Sequence, residues 1–524
     1  MMWADLVLTN GNVLTMNPSK PRAQAIAVKD DKIVEVGTDK EIKTWIGKDT
    51  KIINLEEKTV VPGFIDTHVH ITGFGKSLKQ IDLRGVGSIK EMQEKLKSCA
   101  QKTPKGRWIL GRGWDQDILI EKRYPTRWDL DKFSSNNPVI FTRVCGHICV
   151  ANSQALESAG ITRETTSPPA GQIDNDLKTG EPTGILRENA MDLVGEVKPE
   201  TSEEELMEAC SLACQKAVEA GLTSVHWLTS SPAEIRVIQK LREQNKLPLR
   251  VYIMVSVKLL GRLIDLGLHT GFGDSRVRIG SVKIFSDGSL GARTAALFQP
   301  YRDEPTRKGM IQYTQKKLNT LVMKAHRADF QLAIHAIGDR AIGMVLTALE
   351  KALKEAPKKN HRHRIEHVSV LNRRLIQRMK KLKVIASVQP HFVVSDFWVA
   401  ARVGSTRARW VYPFKTLIQE GVLTTGGSDC PVEPIDPLLG VWAAVAREAF
   451  PEERISVDDA LRFYTVNAAY ASFEEDVKGW IDVGKLADFV VLSREPHEIP
   501  PNEIRDVRVE MTIVGGKVVY VKSE

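Results

Sequence analysis

Two histidines one residue apart end the apolar segment Pro-Gly-Phe-Ile-Asp-Thr-His-Val-His at 62–70. Side chains at positions i and i+2 of a β-strand point to the same face, so the imidazoles of His68 and His70 can reach one metal ion. The alternative is a pair of hydrogen-bonded residues on a half-buried strand, because histidine also has structural roles. The pair therefore makes a metal site the first hypothesis for this chain.

Other residues of metal-binding type follow apolar segments further along the chain. They are Lys283 in Val-Lys-Ile-Phe-Ser-Asp-Gly, His335 in Ala-Ile-His-Ala-Ile-Gly-Asp-Arg, His367 in Arg-Ile-Glu-His-Val and Asp429 in Gly-Gly-Ser-Asp-Cys-Pro. One histidine at the end of a strand is more often structural than a ligand. Such residues on five predicted strands instead indicate one shared cavity, where imidazoles and a carboxylate bind a cation.

The central part of the chain alternates apolar strands with amphipathic helices, which is typical of a parallel sheet. Eight strand–helix units match a closed (β/α)8 TIM-type barrel, whose active site lies at the C-terminal ends of the strands. We predict strands at 64–71, 222–228, 249–257, 277–286, 331–336, 364–368, 384–389 and 423–428, and helices at 318–328 and 341–356. A segment at about 72–198 interrupts the series, and we expect it to fold as an insertion over the barrel mouth.

Both ends of the chain consist of short strand-like segments. These are 5–16 and 25–36 near the N-terminus, and 487–492 and 507–521 near the C-terminus. Hairpin-turn signals interrupt them at Asn-Gly 10–11, Asp-Asp 30–31 and Gly-Gly 515–516. Isolated hairpins are marginally stable, so we expect the two ends to pack as one small β-sandwich. The predicted fold class is α/β, with a discontinuous sandwich domain of residues 1–61 and 478–524 and a barrel domain of residues 62–477.

Composition points to a soluble multidomain protein: 524 residues, 42% hydrophobic and 27% charged. No signal peptide or membrane span is recognisable, so we expect a cytoplasmic protein, and a homodimer as the commonest assembly. The six cysteines do not suggest disulfides, and Cys210 and Cys214 fall on the apolar stripe of a predicted helix.

The net charge of +9 and the basic segment 358–364 raise the alternative of nucleic-acid binding. No aromatic residues interleave with these charges, as a base-stacking surface would require. We therefore interpret the segment as a solvated connection between a helix and a strand, and we expect no nucleic-acid partner.

These motifs together resemble the amidohydrolase superfamily, and specifically the branch that includes N-substituted formamide deformylases. The resemblance covers essentially the whole chain. It is carried by the segments at 62–70, 285–294, 335–341, 365–367 and 427–429, and by Gly-Trp-Asp at 113–115 and Gly-His-Ile-Cys-Val-Ala-Asn-Ser at 146–153.

The resemblance implies one or two divalent ions, with zinc as the first choice. His68, His70 and Asp429 would bind the more buried ion, and the other two histidines, His335 and His367, the more exposed one. Lys283 matches a lysine that carbon dioxide converts to a carbamate in related enzymes. An unmodified ammonium has no lone pair to offer a metal. The alternative is that Lys283 pairs with a carboxylate such as that of Asp287, leaving a single ion.

The implied chemistry is attack of a metal-bound hydroxide on an amide-type carbonyl, because a divalent ion lowers the pKa of bound water towards ~7. Asp429 would accept the proton of the water and pass it to the leaving nitrogen. The alternative for Asp429 is an N-cap of the following helix.

Substrate contacts are expected from residues near strand ends or in the insertion. The candidates are Trp114, His147, His226, Arg293 and His391. His226 and His391 could donate to a developing oxyanion. The alternatives are packing for Trp114 and a surface ion pair for Arg293.

The predicted function is hydrolysis of a carbon–nitrogen bond in a small amide, with an N-substituted formamide as the first choice. The alternatives are opening of a cyclic amide or deamination of a nitrogen heterocycle by the same chemistry. A further alternative is a non-catalytic scaffold, against which the intact ligand set argues.

Overall fold

The computed structural model describes residues 3–198 and 201–523, so residues 1–2, 199–200 and 524 of the predicted domains lie outside the description. The N-terminal part contains seven strands, the short helix α1 (Asp39–Ile42) and a 3-10 turn at Lys43–Trp45. The strands are β1 Leu6–Thr9, β2 Asn12–Leu14, β3 Arg22–Ala23, β4 Ala25–Lys29, β5 Lys32–Gly37, β6 Lys51–Asn54 and β7 Thr59–Pro62.

The chain then enters the first barrel strand, β8 (Phe64–Val69), and the helix α2 (Ile71–Ser77) before a separate α/β segment. This segment contains β9 Ile81–Asp82, α3 Ile89–Ala100, β10 Ile109–Trp114, α4 Arg127–Asp131, β11 Val139–Arg143, β12 Ile148–Ala151, α5 Ser153–Ser158, β13 Gly171–Asn175, β14 Pro182–Glu188 and α6 Ala190–Val197. Its strands form one sheet in the order β13-β14-β12-β11-β10-β9, which packs around its own hydrophobic clusters.

Seven more parallel strands join β8 in an eight-stranded sheet. They are β15 Leu222–Thr229, β16 Arg250–Ser256, β17 Val277–Phe285, β18 Leu332–Ala336, β19 Arg364–His367, β20 Ile385–Val388 and β21 Thr424–Gly426. The strands follow each other in sequence order around the barrel, and β15 and β18–β21 are buried along their whole length. Such burial explains their near-continuous apolar sequences. The prediction of a TIM-type barrel is confirmed.

Side chains close the barrel where the first and last strands meet. The Thr67 hydroxyl of β8 donates to the Gly426 carbonyl (2.9 Å) and lies 3.1 Å from the Thr425 hydroxyl oxygen. This contact brings the end of β8, which carries the histidine pair, next to the residues that follow β21.

Helices surround the barrel, with 3-10 turns at Val257–Leu259 and Pro451–Glu453. Ser202 caps the helix α7 (Glu203–Glu219) in a capping box with Glu205, and Cys210 and Cys214 lie on the buried face of this helix, as predicted. The helices are α7 Glu203–Glu219, α8 Pro232–Glu243, α9 Leu260–Asp265, α10 Gln315–Arg327, α11 Asp339–Glu355, α12 Arg373–Leu382, α13 Phe392–Ser395, α14 Val399–Val403, α15 Ser405–Ala408, α16 Phe414–Gln419, α17 Pro437–Ala446, α18 Val457–Phe463 and α19 Val466–Ala471. Within the described ranges, we find no helix with the length and apolarity needed to cross a membrane.

The C-terminal strands are β22 (Phe489–Leu492), β23 (Val509–Val514) and β24 (Lys517–Val521), with a 3-10 helix at Pro501–Asp506 between the first two. Of these three strands, β22 pairs with the N-terminal strand β7. They form a sheet in the order β24-β23-β22-β7-β2-β3, and the remaining N-terminal strands form a second sheet, β5-β4-β1-β6. Apolar residues of both sheets share one cluster. Two sheets that share a core and contain strands from both chain ends are what the predicted sandwich requires. The predicted domain boundaries, at 61/62 and 477/478, stay a prediction.

One of the three predicted hairpins is wrong. The turns at 30–31 and 515–516 do join antiparallel neighbours, β4 to β5 and β23 to β24. At 10–11 the chain instead leaves one sheet and enters the other, because β1 pairs with β4 and β6 whereas β2 pairs with β3 and β7. Asn10 has the left-handed conformation of a hairpin turn (φ 52°), but here it serves a crossing between sheets.

The interpretation of the basic segment 358–364 as solvated is wrong for its second half, although Lys359 and Asn360 are exposed as predicted. His361, Arg362, His363 and Arg364 are all buried. Arg362 pairs with Glu475 across a contact of 2.5 Å, and Arg364 lies inside the barrel. Internal partners therefore neutralise these charges, which is how buried charges are accommodated in proteins.

Three buried histidines form a hydrogen-bonded chain at the start of β19. The Leu332 N–H donates to Nδ1 of His363 (3.1 Å), and the His363 N–H donates to Nδ1 of His361 (2.9 Å). Nε2–H of His363 then donates to Nδ1 of His326 (2.8 Å), whose Nε2–H donates to the Ala356 carbonyl (2.7 Å). These partners require neutral rings, and burial lowers the pKa of all three histidines.

We expect this chain of histidines to make the fold sensitive to acid. Because the folded-state pKa values lie below the unfolded value of about 6.5, the unfolded chain binds more protons below that pH, and stability falls as the pH drops. For His363, whose pKa lies well below its usual range, the loss between pH 6.5 and pH 5 is about 2 kcal/mol. Chemical denaturation of the wild type and His363→Gln at both pH values measures it. The same pH dependence in both proteins would contradict the expectation.

Candidate metal centre

The barrel brings all four strand-end histidines to one place. The ring centroids of His68 and His70 are 5.6 Å apart, those of His68 and His367 are 5.0 Å apart, and those of His335 and His367 are 4.5 Å apart. Three of them lie on β8, β18 and β19 and His70 directly follows β8, so the C-terminal ends of parallel strands supply all four.

Asp429 completes the most compact group of potential ligands. Its Oδ1 lies 3.0 Å from Nε2 of His70 and 3.3 Å from Nε2 of His68, and one ligand atom from each residue falls within 4.8 Å of the others. The loop carrying Asp429 is fixed to β8, because the Asp429 N–H donates to the His68 carbonyl (2.7 Å) and the His70 N–H donates to the Cys430 carbonyl (2.9 Å). Asp429 does not cap the following helix, since Asp436 is the N-cap of α17.

The Asp429 Oδ1 atom is buried and accepts no aligned hydrogen bond from the residues in 3–198 and 201–523. A carboxylate oxygen facing imidazole nitrogens without such a bond is what a cation between these atoms would require. Two imidazoles and a carboxylate also match the ligand set of catalytic zinc sites. The residues present therefore fit a divalent metal ion.

Glu366 fixes which nitrogen of His68 faces this group. It is fully buried and contacts Nδ1 of His68, while its other oxygen accepts from Nε of Arg364 (2.6 Å). Burial raises the pKa of Glu366, but the positive charge of Arg364 and then the contact with His68 lower it by more. The pKa of Glu366 therefore lies well below its usual range, and the carboxylate stays ionised. Nδ1 of His68 therefore carries the proton, and Nε2 is left with a lone pair towards Asp429.

We expect Glu366→Gln to weaken metal binding about 10- to 100-fold, because it loses the carboxylate that orients His68. It also leaves Arg364 unpaired, which costs about 3–5 kcal/mol of stability. Zinc titration of the folded variant measures the first effect and thermal unfolding the second. The control is Glu474→Gln, which removes the partner of Lys478 (2.8 Å) elsewhere in the barrel. Equal zinc affinity in the two variants would contradict the orienting role.

Lys283 lies beside His68, with its Nζ 3.0 Å from Nε2 of the ring. Burial lowers the pKa of Lys283 to about 8, although Glu366 and Asp429 oppose this. The alternative pairing with Asp287 is wrong: that carboxylate accepts the backbone N–H groups of Ile337 (3.1 Å) and Gly338 (2.8 Å) instead. At pH 7 about a tenth of Lys283 is thus a neutral amine, far more than for an unburied lysine.

His335 and His367 lie outside the compact group but line the same cavity. Nε2 of His335 contacts the Gly288 carbonyl (3.0 Å) and Oδ1 of Asp287 (3.3 Å), and Nδ1 of His367 contacts the Gln389 side-chain oxygen (2.7 Å). Their predicted role at a second, more exposed ion stays a prediction.

A cavity of about 720 Å³ opens from this centre and is lined by both the barrel and the segment between β8 and β15. His147 and His391, two of the predicted substrate contacts, lie on its wall. Burial lowers the pKa of His147, but Glu188, 2.8 Å away, raises it to about 9, so His147 is a charged donor. His391 is held by Glu433 through its Nδ1.

The other three predicted substrate contacts do not reach the cavity wall. Trp114 is fully buried among apolar residues and donates from Nε1 to the Phe141 carbonyl (2.8 Å). His226 is not at the end of its strand, because β15 continues to Thr229, and Nδ1 of its buried ring accepts from Arg364 (2.7 Å). Arg293 is held away from the cavity by ion pairs with Asp303 and Glu304.

Several residues of the site had no predicted role. Glu366 and Arg364 are two apart on a buried strand, so their side chains share the barrel interior. Such an i, i+2 pair of opposite charges in an apolar strand is a signal that sequence reasoning could have used. Arg112 and Arg143, unlike Arg364 and Glu366, line the cavity and come from the inserted segment, where no pattern in the sequence predicted the strand ends.

Comparison with known proteins agrees with the barrel fold and the candidate metal centre. A sequence model described as "Amidohydrolase family" matches residues 51–520. The chain belongs to the amidohydrolase family. It is accordingly a hydrolase that acts on carbon–nitrogen bonds, and the resemblance inferred from its motifs is confirmed.

Similar amidohydrolases match the chain over nearly its full length. The Bacillus subtilis protein YtcJ, named as an amidohydrolase, is 35% identical over 98% of this chain and 99% of its own. N-substituted formamide deformylase of Arthrobacter pascens is 29% identical over 99% of both chains. An uncharacterised metal-dependent hydrolase of Pyrococcus horikoshii OT3 has a crystal structure that superposes with a TM-score of 0.78, at 32% identity over 95% of this chain and 99% of that one.

Proposed function

We propose that this amidohydrolase uses a divalent metal ion, zinc in the first instance, to cleave the C–N bond of a small N-substituted amide such as a formamide. The observation that carries the proposal is the buried, unbonded Oδ1 of Asp429 opposite the nitrogens of His68 and His70. The likeness to a metal-dependent hydrolase and to a formamide deformylase supports it.

His68, His70 and Asp429 would hold the first ion. Burial lowers the pKa of His70 even though Asp429 raises it, so His70 is neutral and offers a lone pair. When bound, a divalent ion lowers the pKa of a coordinated water towards ~7 and polarises a carbonyl oxygen. Lys283 can add an anionic ligand: its neutral amine combines with carbon dioxide, forming a carbamate and releasing one proton. That ligand would allow a second ion, with His335 and His367.

Asp429 is the residue that moves the proton. Burial raises the pKa of Asp429, but positive charge at the centre, which a bound cation would supply, holds it below its usual range, so the carboxylate is ionised and can accept a proton. It takes the proton from the attacking water and returns it to the leaving nitrogen, which restores the carboxylate. His147, charged and on the cavity wall, can donate a hydrogen bond to the oxygen on which negative charge develops.

The cavity wall suggests the kind of N-substituent. Apolar side chains project into it from the barrel loops and from the inserted segment, namely Ile118, Phe285, Val394, Phe397 and Trp398. Four of these, Ile118, Phe285, Val394 and Phe397, keep a large exposed fraction, so they form an apolar rim that a substrate can cover. An aliphatic or aromatic group on the amide nitrogen fits such a rim.

A substrate screen with zinc-reconstituted protein tests the proposal. Matched sets of N-formyl, N-acyl and cyclic amides are compared by release of the free amine or the ring-opened acid. We expect turnover of N-formyl compounds with an apolar N-substituent and none with Asp429→Asn. Turnover confined to cyclic amides would replace the proposed substrate class, and no turnover of any class by zinc-loaded protein would overturn the function.

A further inference from the structure

Arg112 lines the cavity whereas Trp114 does not, because their strand is irregular between the two residues. The pairing of β10 with β11 shifts register between Arg112, opposite Thr142, and Trp114, opposite Arg143. With Gly113 bulged out (φ 111°), Arg112 and Trp114 lie on opposite faces of the sheet. Trp114 is therefore in the core of the inserted segment, while Arg112 lines the cavity that also contains His70 and Asp429.

The guanidinium of Arg112 has no anionic partner within residues 3–198 and 201–523. It donates one hydrogen bond, from Nη2 to the Val144 carbonyl (3.1 Å), and its buried Nε has no acceptor. Other arginines buried around this cavity are paired: Arg143 with Asp115 (2.6 Å) and Arg402 with Asp117 (2.5 Å). A charge left unpaired in a partly desolvated place costs stability, so its presence points to an external partner.

The surroundings of Arg112 leave room for such a partner next to the reaction centre. Gly146 (φ 77°) has no side chain on the side of Nη2, where a Cβ would lie 3.3 Å away. Arg112 and Arg84 share a small recess with Pro431, two residues after Asp429. Arg84 is itself occupied, because it forms a two-pronged ion pair with Asp82 (2.6 and 2.9 Å). Arg112 is thus an arginine without an anionic partner, beside the loop of Asp429, among the residues that the structure describes.

We propose that Arg112 binds a carboxylate of the substrate, so that the preferred substrates are N-formyl or N-acyl amines that carry a carboxylate as well as an apolar group. The planar guanidinium presents N–H groups in a fork that matches the two oxygens of a carboxylate. The apolar rim takes the rest of the N-substituent. This inference rests on the proposed amide hydrolysis and adds to it the charge of the substrate.

A pair of probes that differ only in the carboxylate tests this proposal: N-formylphenylalanine, supplied as both enantiomers, and N-formyl-2-phenylethylamine. For the zinc-loaded wild type we expect kcat/KM about 10- to 100-fold higher with the carboxylate. Arg112→Gln should bring the ratio close to one, and Arg112→Lys should give an intermediate ratio. Arg84→Gln is the matched control and should keep the preference, because Arg84 is already paired. A wild-type ratio near one, or an unchanged ratio in Arg112→Gln, would overturn the proposal.

A binding measurement separates this proposal from the proposed reaction. Calorimetric titration with 3-phenylpropanoate should give affinity about tenfold higher for the wild type than for Arg112→Gln, whether or not any amide is cleaved. If neither formamide is hydrolysed but this difference is found, the reaction is wrong and the carboxylate site stands. If the formamides are hydrolysed and both proteins bind 3-phenylpropanoate equally, the reaction stands and the carboxylate site is wrong.

Discussion

Asp429→Asn is expected to lower kcat about a thousandfold, because asparagine cannot accept the proton that the mechanism assigns to this residue. The substitution keeps the size of the side chain and also removes the anionic oxygen that faces His68 and His70. Initial rates with an N-formyl compound at saturating zinc separate loss of proton transfer from loss of metal. Saturation restores occupancy but not the carboxylate, so kcat should stay low.

The matched control is Asp436→Asn, seven residues further along the same connection. Asp436 caps α17 by accepting the Leu438 N–H (2.8 Å) and does not line the cavity. Asparagine caps a helix about as well as aspartate, so the stability should change by less than about 0.5 kcal/mol, while kcat stays close to that of the wild type. Comparable kcat values for Asp429→Asn and the wild type would remove the proposed proton carrier.

Lys283→Met is expected to lower both zinc content and kcat/KM about a hundredfold or more, because it removes the residue that becomes the anionic ligand. Methionine fills a similar volume, so the barrel interior stays packed. Wild-type protein stripped of metal and kept free of carbon dioxide should recover activity with zinc plus bicarbonate faster than with zinc alone. Lys283→Met should show no response to bicarbonate.

Lys478→Met provides the comparison for Lys283→Met. Lys478 is also buried, but it pairs with Glu474 (2.8 Å) and donates to the Ser224 hydroxyl (3.0 Å), at the opposite end of β15 from the centre. Its loss should lower the thermal midpoint and leave the bicarbonate response in place. Full activity of Lys283→Met would show that this lysine is structural and that the carbamate is absent.

The barrel and the meeting of its histidines could be predicted because both follow from local pattern. Strands buried on two faces leave apolar segments in the sequence, and a parallel barrel puts all their C-terminal ends on one side. His68, His70, His335 and His367 come together for this reason alone. No knowledge of pairing between strands was needed to expect them in one cavity.

The errors arose where position depends on contacts distant in sequence. His226 looked like a strand-end residue, but β15 extends three residues beyond it, and its ring lies inside the barrel with Arg364. The basic segment 358–364 looked solvated because its partner Glu475 is more than a hundred residues away. At 10–11, the same local conformation serves either a hairpin or a crossing, and only the pairing of whole sheets decides between them.

Metal analysis of the purified protein tests the central claim most directly. The wild type, supplied with zinc and passed through a desalting column, should retain about one or two ions per chain. The double variant His68→Asn/His70→Asn, with folding verified by circular dichroism, should retain about a tenth of that or less. Equal zinc content in the two proteins, or none in either, would contradict the assignment of a metal ion to His68, His70 and Asp429.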